Sequence, residues 1–404
     1  MRRMPGQFLR IKTVVFALGV VLGAAIGGPE ASAKNPALPV PCATGACGSA
    51  GPSQFITGGA ATAVATVNSL TVNQTTNSAI LNWSSFNIGT GGTVTFKQPG
   101  SSSVALNRIF QASPSQIFGS LNANGQVYLL NLNGFLFGST ATVNVGGLLV
   151  SSLPLSLTDA NFANGILSPL QNDKPVFDAT LDPLAPGVGR ASVLDANGNP
   201  VLDANGKPQA VQVLVQPGAQ LTASDQGRLL LAGQSVTNGG SLSAPDGQVI
   251  LAAGTKVYLQ ADSDPALRGL IVEVDAGSNN VAWNQLTGSL SSPRGNVTMV
   301  GLAVNQDGRI SATTSVSANG SIRLEAAQGA AFGGTAGDQT VASSQGGTLT
   351  IGPRSDMEIL PELSSSATAV AAQAQLPSSV TLLGEQVILQ GGSIVAPGGT
   401  LTAI

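Results

Sequence analysis

The chain contains no histidine. Catalysis built on an imidazole, as in a Ser-His-Asp triad, is thereby excluded. Charged residues are only 9% of the 404 residues and aromatics 4%, against 43% hydrophobic. A large apolar fraction with little charge is not the composition of a disordered chain. After the first thirty or so positions there is no long apolar run, which excludes a bundle of membrane-spanning helices. No basic cluster occurs, so there is no electrostatic footprint for nucleic acid, heparin or anionic lipid.

What is present begins with an address. Arg2, Arg3, Arg10 and Lys12 form a positive region, Thr13 to Ile26 an apolar one, and Ala31-Ser32-Ala33 a small-residue cleavage motif. This predicts a signal peptide over 1–33, cut between Ala33 and Lys34. As an anchor the apolar run is too short to span a bilayer comfortably. Arg2-Arg3 also raises twin-arginine export, but the flanking residues fit it poorly. Removing 1–33 takes away four basic residues and Glu30, leaving 13 basic and 19 acidic residues and a charge of −6.

The mature chain would carry two cysteines, Cys42 and Cys47, inside a Pro/Gly-rich leader over 34–53. In an exported protein the pair predicts one small disulfide loop. A metal pair would need further ligands, and no metal or cofactor is expected. The bridge is expected to stiffen an extended leader rather than the core.

From Gln54 onward the chain reads as strands. Gln54–Gly59 and Ala63–Val72 begin the pattern and are expected to cap a stack. Ile80-Leu-Asn-Trp-Ser-Ser-Phe-Asn-Ile-Gly89, Val104–Ile109, Ser113–Leu121, Gly125–Gly138 and Val143–Val150 follow. Apolar runs of four to six residues alternate with Asn, Gly and Ser turns, without helical periodicity. Trp83 and Phe86 have two readings, core packing under the cap or an exposed aromatic contact for a transporter or a sugar.

The order and wording of Gln54 to Leu153 resemble the haemagglutination-activity domain of filamentous haemagglutinin-type exoproteins, the export domain of two-partner secretion. The resemblance implies a right-handed parallel β-helix. It implies as partner an outer-membrane two-partner transporter (Omp85-like), delivery through the periplasm, and secretion to the surface of a Gram-negative bacterium. Adhesion or haemagglutination would be the downstream role, through a receptor the sequence does not reveal. The family's Asn-Pro-Asn-Gly stands here as Asn131-Leu132-Asn133-Gly134, and its Asn-Pro-Ser as Ser113-Pro114-Ser115. These seven residues are the candidate export motif. As chemistry, each is a tight turn: Asn bonds its own backbone, Gly takes positive φ, and Pro presets φ.

Residues 154–215 break the rhythm with five prolines up to Pro186 and then two tandem octapeptides that each end in proline, Val193–Pro200 and Val201–Pro208. Each copy holds Asn-Gly, a hairpin dipeptide. A calcium loop would need a longer ligand series. A hairpin arm over 171–210, standing off the body, is expected.

From Val211 a loose period near twenty returns, in the range of solenoid coils. Gly227–Gly233 is echoed by Gly247–Gly254, and Gly240–Pro245 by Gly392–Pro397. Residues 364–379, rich in Ser, Ala and Gln without alternation, read as an extruded loop or a short helix. The chain stops within a strand unit, which predicts a truncated gene or a fragment. The whole reads as an all-β solenoid with cap strands and extruded excursions. The export domain would be 54–170, and the coils would continue over 211–404.

Two other functions compete. One is a β-helical polysaccharide-degrading enzyme, for which Asp262 with Asp264, or Glu273 with Asp275, would be the carboxylate pair. The other is an inert stalk fragment of a longer adhesin. Scattered carboxylates and the absence of histidine argue against an enzyme, and no catalytic residue is assigned.

Overall fold

The computed structural model describes residues 35–48, 51–162, 174–186, 189–195, 197–203, 205–261, 270–277, 280–315, 318–335, 338–362 and 377–404. The signal peptide, its cleavage site at Ala33 and Lys34, Asp262, Asp264 and most of 364–379 lie outside these. Every element below belongs to one compact unit, residues 36–404.

That unit is a parallel β-helix. Its coils pass in turn through three long sheets of 13, 8 and 11 strands. One coil steps from Val104–Ile109 to Ser115–Ile117 to Ser120–Ala123, and the next repeats this as Gln126–Leu130, Phe135–Phe137 and Thr142–Val145. Each strand pairs in parallel with its counterpart one coil away, so Val104 faces Gln126 and Gln126 faces Gly147. Later, Arg228 faces Gln248 and Ser379 faces Thr400. The sequence spacing of these partners is the coil length, near twenty residues.

The inner rows explain the pattern. Ala105, Val127, Leu148, Leu229, Val249, Val297 and Ile322 stack in one file, all buried. Small aliphatics fill most of this file, while Trp83, Phe86, Phe96, Phe135 and Phe137 fill the core of the N-terminal coils. At one corner the stacked polar side chains satisfy each other. Asn238 donates to Asn284 at 2.9 Å, Asn284 to Gln306 at 2.9 Å, and Gln306 to Ser355 at 3.2 Å. Buried amides are retained where such a ladder pairs them.

The N-terminal end is closed by antiparallel strands. Ala61–Ala65 pairs with Ser69–Gln74, and Ile56–Gly58 with Ser78–Ser85. The leader differs from the extended segment expected. Val40–Pro41 also pairs with Ser78–Ser85, and Cys42 N–H donates to the Asn82 carbonyl at 2.9 Å. Cys42 and Cys47, joined by a bridge, are buried, while Val40 stays exposed.

The insert also differs. Rather than standing off, it packs on the outer face of the 13-stranded sheet. Val176, Phe177 and Ala179 join a second apolar cluster with Ile80, Leu106, Leu149, Leu230 and Ile250. A hairpin of Lys256–Ala261 with Leu270–Asp275 completes this cover, and Phe177–Asp178 pairs with it. A further hairpin joins Ser321–Thr335 to Asp338–Gln345. Neither hairpin was expected, because a strand pattern does not tell parallel from antiparallel. The cover explains why Leu229–Gly233 and Val249–Ala253 are continuously apolar: both faces are buried. Along the same outer row, Thr298, Arg323 and Thr381 follow Ile250 in register. No helix occurs among the described residues of 211–351.

Within the insert, each octapeptide closes on itself. Asp195 accepts from the Asn197 and Asn199 amides at 2.9 and 2.8 Å, and Asp203 does the same with Asn205 and Lys207. These carboxylates serve turns, not a cation.

Candidate export site

The two halves of the candidate motif lie on adjacent coils. Ser115–Ile117 pairs in register with Phe135–Phe137, which sets the Ser113–Ser115 corner directly beside Asn131–Gly134. Asn131 Nδ2 donates to the Ser113 carbonyl and to Ser115 Oγ, both at 3.0 Å. Its Oδ1 accepts from Asn133 N–H at 2.9 Å, and its carbonyl from Gly134 N–H at 2.9 Å. An Asn that bonds the backbone two residues on makes a turn without help from Pro. This is why Leu132 is tolerated, half-buried, at the second place. Gly134 has φ +93°, and a Cβ there would overlap the Gln212 carbonyl. The position needs glycine for both reasons.

Side-chain amides extend the corner to a third coil. Gln111 accepts from Phe86 N–H at 2.8 Å and donates to the Pro114 carbonyl at 2.9 Å. Asn87 accepts from Gln116 N–H at 2.8 Å. Gln111 and Asn87 were not singled out from the sequence; their recurrence at the corner positions was the available signal.

Asn133 faces the insert. Its Oδ1 accepts from Arg190 Nη1 at 2.6 Å and from Leu194 N–H at 3.1 Å. Arg190 forks onto Asp182 through Nε and Nη2, both at 2.8 Å. Both members of this ion pair are almost fully buried. The turn is thus sealed in the folded chain: Asn131 and Asn133 are 1% and 4% exposed.

Trp83 and Phe86 are fully buried, which overturns the reading of them as an exposed contact. Trp83 stacks edge-on with Phe55 and Phe86 at centroid distances of 4.8 and 5.4 Å. Its indole N–H donates to Asn107 Oδ1 at 2.9 Å, so the ring and its polar end are both satisfied inside.

The carboxylates do not form an open catalytic pair. Asp275 accepts from Tyr258 Oη–H at 2.8 Å and from Ala330 N–H at 2.9 Å. Glu273 is held in a buried cluster with Glu325 and Arg323. Burial, then the neighbouring Glu325 carboxylate, holds the Glu273 carboxyl well above its usual range, against the pull of Arg323. Among the described residues no three His, Cys, Asp or Glu side chains come together as metal ligands.

Comparison with known proteins places this corner within a known domain. Residues 52–175 match the family model of the TPS secretion domain. The chain is 43% identical over 94 residues to a heme/hemopexin-binding protein of Haemophilus influenzae strain Rd, and 41% identical over 96 residues to another from that species. Each match covers 23% or 24% of this chain and 10% of the relative. The secretion domain of HMW1 from Haemophilus influenzae superposes with a TM-score of 0.57 at 22% identity, over 84% of this chain and 72% of that one. That likeness carries the β-helix fold. The chain therefore bears a TPS secretion domain, the domain of two-partner secretion.

Proposed function

We propose that this protein is a two-partner exoprotein whose N-terminal domain is read by an Omp85-like outer-membrane transporter. The signal peptide over 1–33 delivers it to the periplasm, and residues 54–170 engage the transporter. Asn131–Gly134 and Ser113–Ser115 are the residues recognised. The observation that carries this is that both halves of the motif fall within the matched residues 52–175 and meet at one corner. In the fold Ser115, Asn131 and Asn133 are buried, so recognition of these residues acts on the chain before it folds. Outside the cell, coil after coil closes the corner and draws the chain outward, since stability accrues at each coil interface. The insert over 171–210 and the coils of 211–404 follow, and their surface serves adhesion rather than catalysis.

The test is expression with and without the cognate transporter. Protein in the medium only when the transporter is present supports the reading. Equal secretion without it would end the proposal. Haemagglutination by the secreted protein tests the adhesive role separately, and incubation with acidic polysaccharides should give no chain cleavage.

A further inference from the structure

A notch is cut into one corner of the β-helix by a change in turn length. Three consecutive coils pass this corner at Asn284–Ser289, Gln306–Arg309 and Ile351–Asp356, and these ends are in register. The outer two turns have four residues each, 285–288 and 352–355. The middle turn has only two, Asp307 and Gly308. The flanking turns are two coil spacings apart, about 9–10 Å between backbones. The missing residues leave a cavity of about 390 Å³ between them. That lies within the range of small-molecule sites, roughly 300–1,000 Å³.

The lining is suited to a ligand. Trp283 projects from its strand and is 37% exposed, unlike the buried Trp83. Its indole N–H donates to Asp307 Oδ2 at 2.7 Å, which fixes the ring beside the notch. Asp307 in turn rests on Gly352, where any Cβ would overlap its Oδ1. The backbone beneath is already committed, with Asp307 N–H to the Asn284 carbonyl and Gly352 N–H to the Gln306 carbonyl, both at 2.9 Å. A peptide strand thus finds few free backbone groups at this corner. The groups left for a ligand are side chains. Gln285, Thr287 and Arg354 line the cavity and make no side-chain hydrogen bond or ion pair among the described residues.

We propose that this notch binds an acidic sugar unit, a uronic acid residue of a polysaccharide. The C–H face of a pyranose ring stacks on Trp283, its carboxylate pairs with the Arg354 fork, and its hydroxyls meet Gln285 and Thr287. A flat apolar face, a guanidinium with no ion partner among the described residues and neutral polar groups match that chemistry, and the one carboxylate in the lining, Asp307, is engaged by the Trp283 indole N–H. A neutral sugar would leave the guanidinium unused. The proposal deepens the adhesive part of the function above by naming a ligand class. It does not depend on export, because binding is measured on isolated protein.

The experiment uses the mature full chain and a galacturonic acid trimer, with the trimer's methyl ester as the neutral counterpart. The chain has two tryptophans, and only Trp283 is exposed, so its emission reports the notch. A saturable emission change with the acid, at least tenfold weaker with the ester, is expected. Arg354→Gln should abolish the difference between acid and ester. Trp283→Ala should remove binding by calorimetry while leaving the thermal melt unchanged. No saturation up to about 10 mM, equal binding of the ester, or full binding by Trp283→Ala would overturn the proposal. None of these results bears on secretion, so the two readings fail separately.

Discussion

Arg190 in the insert donates to Asn133 of the candidate export turn at 2.6 Å, across 57 positions of sequence. The same guanidinium forks onto Asp182, and all three groups are buried. The turn is therefore completed by a segment that follows it in the chain. A transporter that meets the N-terminal coils first would meet the turn before Arg190 arrives to cover it.

Removing Asp182 should expose the cost of this arrangement. Asp182→Ala leaves Arg190 buried without its counter-charge, a loss typically of about 3–5 kcal/mol. We expect proteolytic nicking within 174–210 of the secreted variant and a lower melting temperature. Secretion should stay near normal if recognition precedes folding. Loss of secretion with an unchanged melt would contradict this order of events.

The turn itself should behave in the opposite way. Asn131→Ala deletes bonds to Ser113, Ser115 and Asn133, at a cost of roughly 1–3 kcal/mol where partners are left buried. Gly134→Val meets the positive φ and the Gln212 carbonyl, and local repacking should make it the more destabilising change. A many-coil solenoid should survive either. Both should reduce secretion far more than their effect on the melt implies, and Leu132→Pro should secrete as well as the parent or better. Secreted and periplasmic fractions, with parallel melts of refolded protein, measure this. Normal secretion of both variants would leave the turn a purely structural role.

Glu273 makes stability depend on pH. Its carboxyl is held above its ordinary value of 4.5 in the fold. A raised folded pKa contributes stability that is full below that ordinary value and lost as pH rises through the folded value. Glu273→Gln keeps the shape and removes the charge. It should melt higher than the parent at pH 8, with the advantage shrinking toward pH 4. A constant difference across that range would show that Glu273 does not titrate there.

Cys42 and Cys47 should give no free thiol in non-reduced protein from the periplasm or medium. Replacing both by Ser should lower the stability of the N-terminal cap by about 2 kcal/mol, the chain-entropy value for so small a loop. Since Cys42 N–H bonds Asn82, hydrogen exchange should rise first in Ser78–Ser85. Two titratable thiols in the parent would refute the bridge.

Much of the architecture was legible because it is written as local pattern. Gly-bounded runs such as Gly247–Gly254 declare strands, and their recurrence near twenty residues declares coils. The wording around Asn131 to Gly134 declared the domain. The insert was misread because octapeptide turns are local, whereas the packing of Val176 and Phe177 against Ile250 is not. Asn87 and Gln111 were overlooked because a polar residue in a turn looks the same whether solvated or bonded across coils. Trp83 and Phe86 had two readings for a related reason: burial depends on Phe55 and Asn107, which come from other strands.

By itself, then, the sequence determined that this chain must stack. Short apolar runs punctuated by Gly and Asn cannot bury a face within one coil, and only neighbouring coils can supply the partner. Its lack of histidine ruled out imidazole chemistry, and its low aromatic content left most of the core to aliphatic side chains. The tertiary structure alone decided where surfaces are covered and where they stay open. Ile80, Leu106 and Ile250 are outward residues made internal by an insert and a hairpin distant in sequence. The notch beside Trp283 exists because a two-residue turn lies between two four-residue turns. That difference in turn length becomes a cavity only when register places the three turns side by side.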